Sequence, residues 1–260
     1  LNLSIEVSVE PADALSITTF GEGADFPQGS DHMAAAIVRD VLGHDNVAIS
    51  IRSEIPVARG LGSSAALAAA TAAAAGANDP LAIATRIDGH AENAAASVLG
   101  GLVVATVVKG VPVAENLVVD DRLAFVVVIP DRMLSTRDAR AALPSEVSLH
   151  DAAVNLGRLG LLIAGFANAD RFSPHAMQDT LHQPYRIPLF PESETIMRGL
   201  VEAGALGSAW SGAGSTLLAV AVRGDAPAVC AAGVDLLNEA GVKGRALQLE
   251  VDRTGLVVTE

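Results

Sequence analysis

Apolar and polar residues alternate through the opening run LNLSIEVSVE, with Leu1, Leu3, Ile5, Val7 and Val9 on one side, which predicts a strand with one buried face. A chain that opens inside a strand reads as a fragment. Ser30 or Asp31 is placed to cap a helix over Met33 to Leu42. Alternation returns at VAISIRSEI (Val47 to Ile55), a second strand that Pro56 ends. A Gly-rich turn follows at Arg59 to Ser64, then an alanine-dense helix from Ala65. Asp79-Pro80 opens another helix, with Pro where its missing N–H does least harm. Leu102 to Val108 is a β-branched strand, and the unbroken apolar run FVVVI (Phe125 to Ile129) predicts a central strand covered on both faces. Between Leu149 and Asn168, Ala153, Leu156, Leu159, Leu161 and Ile163 recur at helical spacing. Helices over 192–203 and 226–240 and strands over 206–210, 217–222 and 246–251 complete the pattern, with a second Gly turn at Ser211 to Ser215. Helices and strands interleave irregularly, which predicts an α+β fold.

Half of the 260 residues are hydrophobic but only 3% are aromatic, so the core is built from Ala, Val, Leu and Ile. The formal net charge of −13 makes nucleic acid and anionic membrane poor partners. The longest apolar stretch, Ala65 to Ala77, is too short to span a bilayer. With Cys230 as the single cysteine, neither an intramolecular disulfide nor a cysteine-based zinc site is available, and a lone thiol fits a reducing cytoplasm.

The chemistry concentrates at PVARGLGSSAA, residues 56–66. A strand runs into a turn where Gly60 and Gly62 allow backbone N–H groups to approach an anion, and Ser63 and Ser64 open a helix whose exposed donors and dipole favour negative charge. Arg59 adds charge. No Lys-Ser/Thr follows the glycines, so this is not a Walker A loop, and the spacing is not the dinucleotide fingerprint. A serine-capped helix after a tight turn is the bland reading, and anion binding outweighs it about two to one.

Residues 56–66 resemble the second signature of the GHMP small-molecule kinases, whose core is Pro-x-x-x-Gly-Leu-Gly-Ser-Ser-Ala. The resemblance implies that Pro56, Arg59, Gly60, Leu61, Gly62, Ser63, Ser64 and Ala65 hold ATP, and that Ser64 helps to hold Mg²⁺. SGAGS at 211–215 resembles the third signature, with Ser215 where the family usually has Pro; it implies that Gly212 and Gly214 let the backbone approach the substrate site. Three further segments resemble the homoserine kinase branch: DGHAENAAASVLGG (88–101), STRDARAALP (135–144) and LHQPYR (181–186). They imply that His90 and Asn93 face the amino-acid substrate and that Thr136, Arg140 and Arg186 bind it, a guanidinium pairing the carboxylate bidentately. Taken singly, each arginine is a surface ion pair and His90 a packing histidine; the three segments in order weigh against that.

Two departures stand out. The family's N-terminal signature, resembling Pro-x-Ser-x-Asn-Leu-Gly-x-Gly-Phe-Asp, is absent, and Arg86 stands where the family's magnesium-binding Glu falls, four residues before His90. The resemblance covers roughly residues 1–220. It implies a two-layer fold: a part like domain 2 of a small-subunit ribosomal protein over residues 1–118, binding ATP, and a ferredoxin-like part over 119–260. It further implies a cytoplasmic kinase of L-homoserine using ATP and Mg²⁺ with His90, Asn93 and Arg140 in catalysis, and by analogy a homodimer. The alternative is an impaired paralogue that binds nucleotide or amino acid without turnover.

Overall fold

The alternating positions of the opening run form a strand in the computed structural model, which describes residues 1–259. The strand starts later than Leu1: β1 spans Ile5–Pro11. It lies antiparallel to β3 (Val47–Ser53), while β2 (Ser16–Gly21), which the sequence pattern did not disclose, lies parallel to β3 on its other side. Val47, Ile49 and Ile51 of β3 are buried with Ile17 of β2 and with Ala34, Ala35 and Val38 of α1 (Met33–Leu42). The cap of α1 is His32 rather than Ser30 or Asp31. His32 has the extended conformation a cap requires, and its Nδ1 accepts from the Ala34 N–H at 3.2 Å.

Alanine sets the packing of the next helices. Ala65, Ala68, Ala69 and Ala72 of α2 (Ser63–Ala74) are buried with Ala84 of α3 (Pro80–Asp88) and Ala94 of α4 (Ala91–Leu99). Side chains this small let helix axes approach closely. Strand β4 (Leu102–Val108) turns through Lys109 and Gly110 into β5 (Val111–Leu117), a hairpin partner missing from the sequence reading because its residues are mixed in polarity. The end of the chain returns to this region: Gly101 N–H donates to the Asp252 carbonyl at 2.6 Å and Leu256 N–H to that of Val98 at 3.1 Å. Residues 2–57, 62–117 and 252–259 thereby form one compact unit.

The other unit comprises Leu1, residues 58–61 and residues 118–251. Its sheet has the order β7-β8-β6-β9, antiparallel throughout, from β6 (Leu123–Pro130), β7 (Gly207–Trp210), β8 (Leu217–Val222) and β9 (Gly244–Leu249). Every residue of β6 is buried, as its continuous apolar run predicts. Its Ala124, Val126 and Val128 share a core with Leu217 and Ala219 of β8, with Ile196 and Leu200 of α8 (Glu192–Glu202), and with Val229 and Leu237 of α9 (Ala226–Glu239). On the opposite face Phe125 meets Phe166 at 6.0 Å between ring centroids. Phe166 belongs to α6 (Leu149–Ala167), the helix expected over 149–168, of which only Gly165 and Phe166 are buried. Two short helices, α5 (Thr136–Ala141) and α7 (Gln183–Arg186), carry candidate site residues. The mixture of antiparallel sheet and helices is the α+β class that the sequence predicts. Among the described residues no helix is long and apolar enough to cross a membrane.

Leu217 is fully buried, whereas Val111 is 61% exposed. Leu217→Ala should lower unfolding stability by about 2–5 kcal/mol and Val111→Ala by less than about 0.5 kcal/mol. Urea midpoints of the two variants check this contrast.

Candidate active site

The two glycine loops are assembled partly within one unit. Residues 58–61 pack against residues 211–216. Ser211 Oγ donates to the Gly60 carbonyl at 2.8 Å, Thr216 N–H donates to the Arg59 carbonyl at 3.1 Å, and Leu134 N–H donates to that of Ala58 at 3.2 Å. Gly60 has φ +75°, and a Cβ there would stand 2.1 Å from the Ser211 carbonyl oxygen and 2.6 Å from the Gly214 nitrogen. No other residue fits. At Gly214, with φ +85°, a Cβ would strike the Trp210 ring at 2.4 Å. Ser215 Oγ donates to the Arg132 carbonyl, which fixes the loop from below.

Arg59 Nη2 donates to the Asp131 carbonyl at 3.1 Å, while its buried Nη1 has no protein partner. A buried guanidinium nitrogen without an acceptor, beside a backbone stripped of side chains, suits an anionic oxygen. The loop therefore fits the phosphates of a nucleotide.

Two arginines from the sequence reading belong to this same unit. Arg140 is exposed on α5, one turn after Thr136, as their four-residue spacing predicts. Arg186 is buried at the end of α7; its Nε donates to the Ala139 carbonyl at 3.2 Å and its Nη1 to that of Gly212 at 2.9 Å. Burial lowers the Arg186 pKa, the Asp179 carboxylate opposes that shift, and the nearby Arg140 charge adds to it. A desolvated guanidinium that also feels a second positive charge lowers its energy by binding an anion.

Asp179 escaped the sequence reading. It accepts from the N–H groups of Leu181 at 2.6 Å and of His182 and Gln183, both at 2.8 Å, and so fixes the start of α7. Gln183 then accepts from the Trp210 N–H at 3.0 Å, tying α7 to the strand before the second glycine loop. The available signal was an aspartate just ahead of Leu-His-Gln-Pro, the position of a side-chain cap. Ser211 was also missed as an individual contact, although it lies in the loop that was singled out.

In the other unit, Gly62 (φ 77°) is the N-cap of α2 and makes no side-chain cap bond, so the serine cap of the bland reading is absent. The first-turn N–H groups are left available. A Cβ on Gly62 would lie 3.8–3.9 Å from the Asn93 side chain, which places that side chain beside the helix start. Pro56 and Ala65 are buried, Ser63 is half-buried, and Ser64 is exposed with its hydroxyl 3.9 Å from Met33 Sδ. His90 is the N-cap of α4, with Nδ1 3.2 Å from Asp88 Oδ2. Arg86 is ion-paired with Asp40 at 2.5 Å. Among the described residues no three His, Cys, Asp or Glu side chains gather to hold a metal. An ion held mainly by nucleotide phosphates needs only one or two protein donors, which the Ser64 hydroxyl can supply in part.

Known proteins resemble this chain. Residues 31–101 match the model of the GHMP kinase N-terminal domain and residues 155–235 that of the GHMP kinase C-terminal domain. The chain is 37% identical over 275 aligned residues to a homoserine kinase of Moorella thermoacetica, covering 99% of this chain and 92% of that protein. It is 38% identical over 220 residues to a homoserine kinase of Microchaete diplosiphon, covering 81% and 71%. The crystal structure of a homoserine kinase from Cytophaga hutchinsonii superimposes with a TM-score of 0.81 at 23% identity, covering 96% of this chain and 86% of that one.

The Asp179 hydrogen bonds generate a pH prediction. Burial raises its pKa, but the bonds from His182, Leu181 and Gln183 outweigh that and hold it at about 2, below the ordinary 3.8. A depressed carboxylate stabilises the fold above the ordinary pKa and loses that contribution as pH falls from 3.8 toward 2. Urea titrations should show wild type more stable than Asp179→Asn at neutral pH, with the gap closing across that acidic interval.

Proposed function

The chain belongs to the homoserine kinases of the GHMP kinase family, and from that membership we propose that it transfers the γ-phosphoryl group of ATP to the side-chain hydroxyl of L-homoserine, giving ADP and O-phospho-L-homoserine on the route to threonine. The observation that carries the reading is Arg186, a buried guanidinium bonded to the Gly212 carbonyl of the second glycine loop, whose pKa burial lowers and the Arg140 charge lowers further. A carboxylate offsets both effects, and an amino acid brings one.

In this proposal residues 1–118 are the ATP-binding domain and 119–260 the C-terminal domain. Pro56, Arg59, Gly60, Leu61, Gly62, Ser63, Ser64 and Ala65 form the phosphate loop. Backbone donors and the unpartnered Arg59 Nη1 take phosphate oxygens. Mg²⁺ is the ion that accompanies ATP and neutralises phosphate charge, with the Ser64 hydroxyl as protein donor. Arg140 and Arg186 hold the substrate carboxylate, Thr136 lies a turn from Arg140, and Gly212 and Gly214 keep side chains clear of the substrate. Asn93 and His90 position the hydroxyl, whose oxygen forms the new bond to phosphorus as the bond to the ADP oxygen breaks. Such transfer depends on alignment and charge stabilisation, so it proceeds without a strong base. The cytoplasm is the compartment consistent with the single thiol at Cys230.

A coupled assay of ADP release against L-homoserine, mevalonate and galactose tests the reading. Homoserine alone should support turnover. Arg140→Ala should raise the KM for homoserine by about ten- to a hundredfold, as expected for loss of a charged hydrogen bond, with the KM for ATP little changed. Equal turnover with mevalonate or galactose, or an ATP defect in Arg140→Ala, would overturn the assignment.

A further inference from the structure

Asp88 and His90 face each other across Gly89, where α3 ends and α4 begins. Nδ1 of His90 lies 3.2 Å from Oδ2 of Asp88, with only 20% and 14% of the two side chains exposed. Both atoms are shielded from water, and neither has a hydrogen-bond partner elsewhere among the described residues. They stand at hydrogen-bonding distance but off the preferred angle, which a turn of the ring corrects. Neither side chain is needed by its helix. The backbone closes α3, Gly89 N–H donating to the Thr85 carbonyl at 2.9 Å, and His90 makes no side-chain cap bond although it is the N-cap of α4. A carboxylate on the last residue of a helix opposes the helix dipole, and Arg86, the cation of that last turn, pairs with Asp40 instead. Largely burying an acid there disfavours the fold, and no packing role accounts for it.

The pair lies near the phosphate loop. Asn93 follows His90 by three residues, across the first turn of α4, and its side chain lies beside Gly62 at the start of α2. We propose that Asp88 is the positioning residue of His90: its carboxylate accepts from Nδ1–H and leaves Nε2 as the nitrogen that meets the homoserine hydroxyl. This rests on the homoserine reading above. The two nitrogens of an imidazole are unequal, and the bond made by one fixes the role of the other. With its proton on Nδ1 the ring offers Nε2 as an acceptor, so the substrate hydroxyl donates to it and turns an oxygen lone pair toward the γ-phosphorus. As that oxygen bonds to phosphorus and the bond to the ADP oxygen breaks, the hydroxyl proton passes to Nε2, and the Asp88 carboxylate stabilises the imidazolium that forms. The proton then leaves to solvent and the neutral ring is restored. The opposite tautomer presents an N–H donor to the hydroxyl oxygen and occupies the lone pair that attacks.

Nitrogen NMR of the chain with isotope-labelled histidine, at a pH well above the ordinary imidazole range, reads the tautomer directly. The His90 signals, identified by their loss in His90→Gln, should show a pyrrole-type Nδ1 and a pyridine-type Nε2. In Asp88→Ala the ring should revert to the Nε2–H form that free histidine favours. The same substitution should lower kcat with homoserine by about ten- to a hundredfold, with the KM for ATP little changed and the thermal midpoint equal or higher, since an acid is removed from a helix C-terminus. An Nε2–H form in the wild type, a tautomer or a kcat indifferent to Asp88→Ala, or a fall in thermal midpoint that matches the loss of activity would each overturn the proposal. A wild type silent with homoserine would overturn the homoserine reading and this proposal together, whereas an active wild type with the wrong tautomer overturns this proposal alone.

Discussion

The contact between Gly60 and the turn at Ser211 to Gly214 is the constraint on which the rest of the phosphate loop depends. A positive φ turns the Gly60 carbonyl to the Ser211 hydroxyl, and the bare α-carbon lets the Ser211 carbonyl and Gly214 nitrogen close in. The neighbouring Thr216-to-Arg59 bond extends the contact. Two loops about 150 residues apart in sequence thus behave as one backbone surface, and that surface places Arg59 with an unpartnered guanidinium nitrogen beside it.

The same turn positions the substrate-side charge. Gly212 offers its carbonyl to Arg186, and α7 reaches that carbonyl because Asp179 gathers three backbone N–H groups at its start. A four-residue helix has little stability of its own, so its geometry comes from Asp179 and from Gln183, which binds β7 just before the turn. Desolvating Arg186 near Arg140 is unfavourable alone and becomes useful once a carboxylate arrives. Stability in this region is spent on preorganisation.

Much of the arrangement was legible in the sequence. The glycine spacing of residues 60–62, the serines after it and the four-residue step from Thr136 to Arg140 are local features, and local geometry follows from local sequence. FVVVI announced a doubly covered strand for the same reason. What stayed hidden is long-range. No residue near Gly60 reveals that Ser211 is its partner, and Asp179 acts through backbone groups that leave no compositional mark. Strand β5 mixes Val, Pro, Glu and Asn and is held by pairing to β4 more than by its own propensity. At α6 periodicity predicted the helix and could not tell which side faces solvent, since an apolar stripe looks alike whether it meets its own core or water.

Gly60→Ala tests the central claim most directly, because it adds one methyl group where the two loops meet and leaves every charged residue in place. Circular dichroism would confirm that the fold persists, and nucleotide titration and homoserine-dependent ADP release would be followed together. Left-handed strain of about 1–2 kcal/mol, with the clash added, should weaken nucleotide binding and turnover in parallel by about tenfold or more. A folded variant with wild-type nucleotide affinity and wild-type turnover would contradict the account.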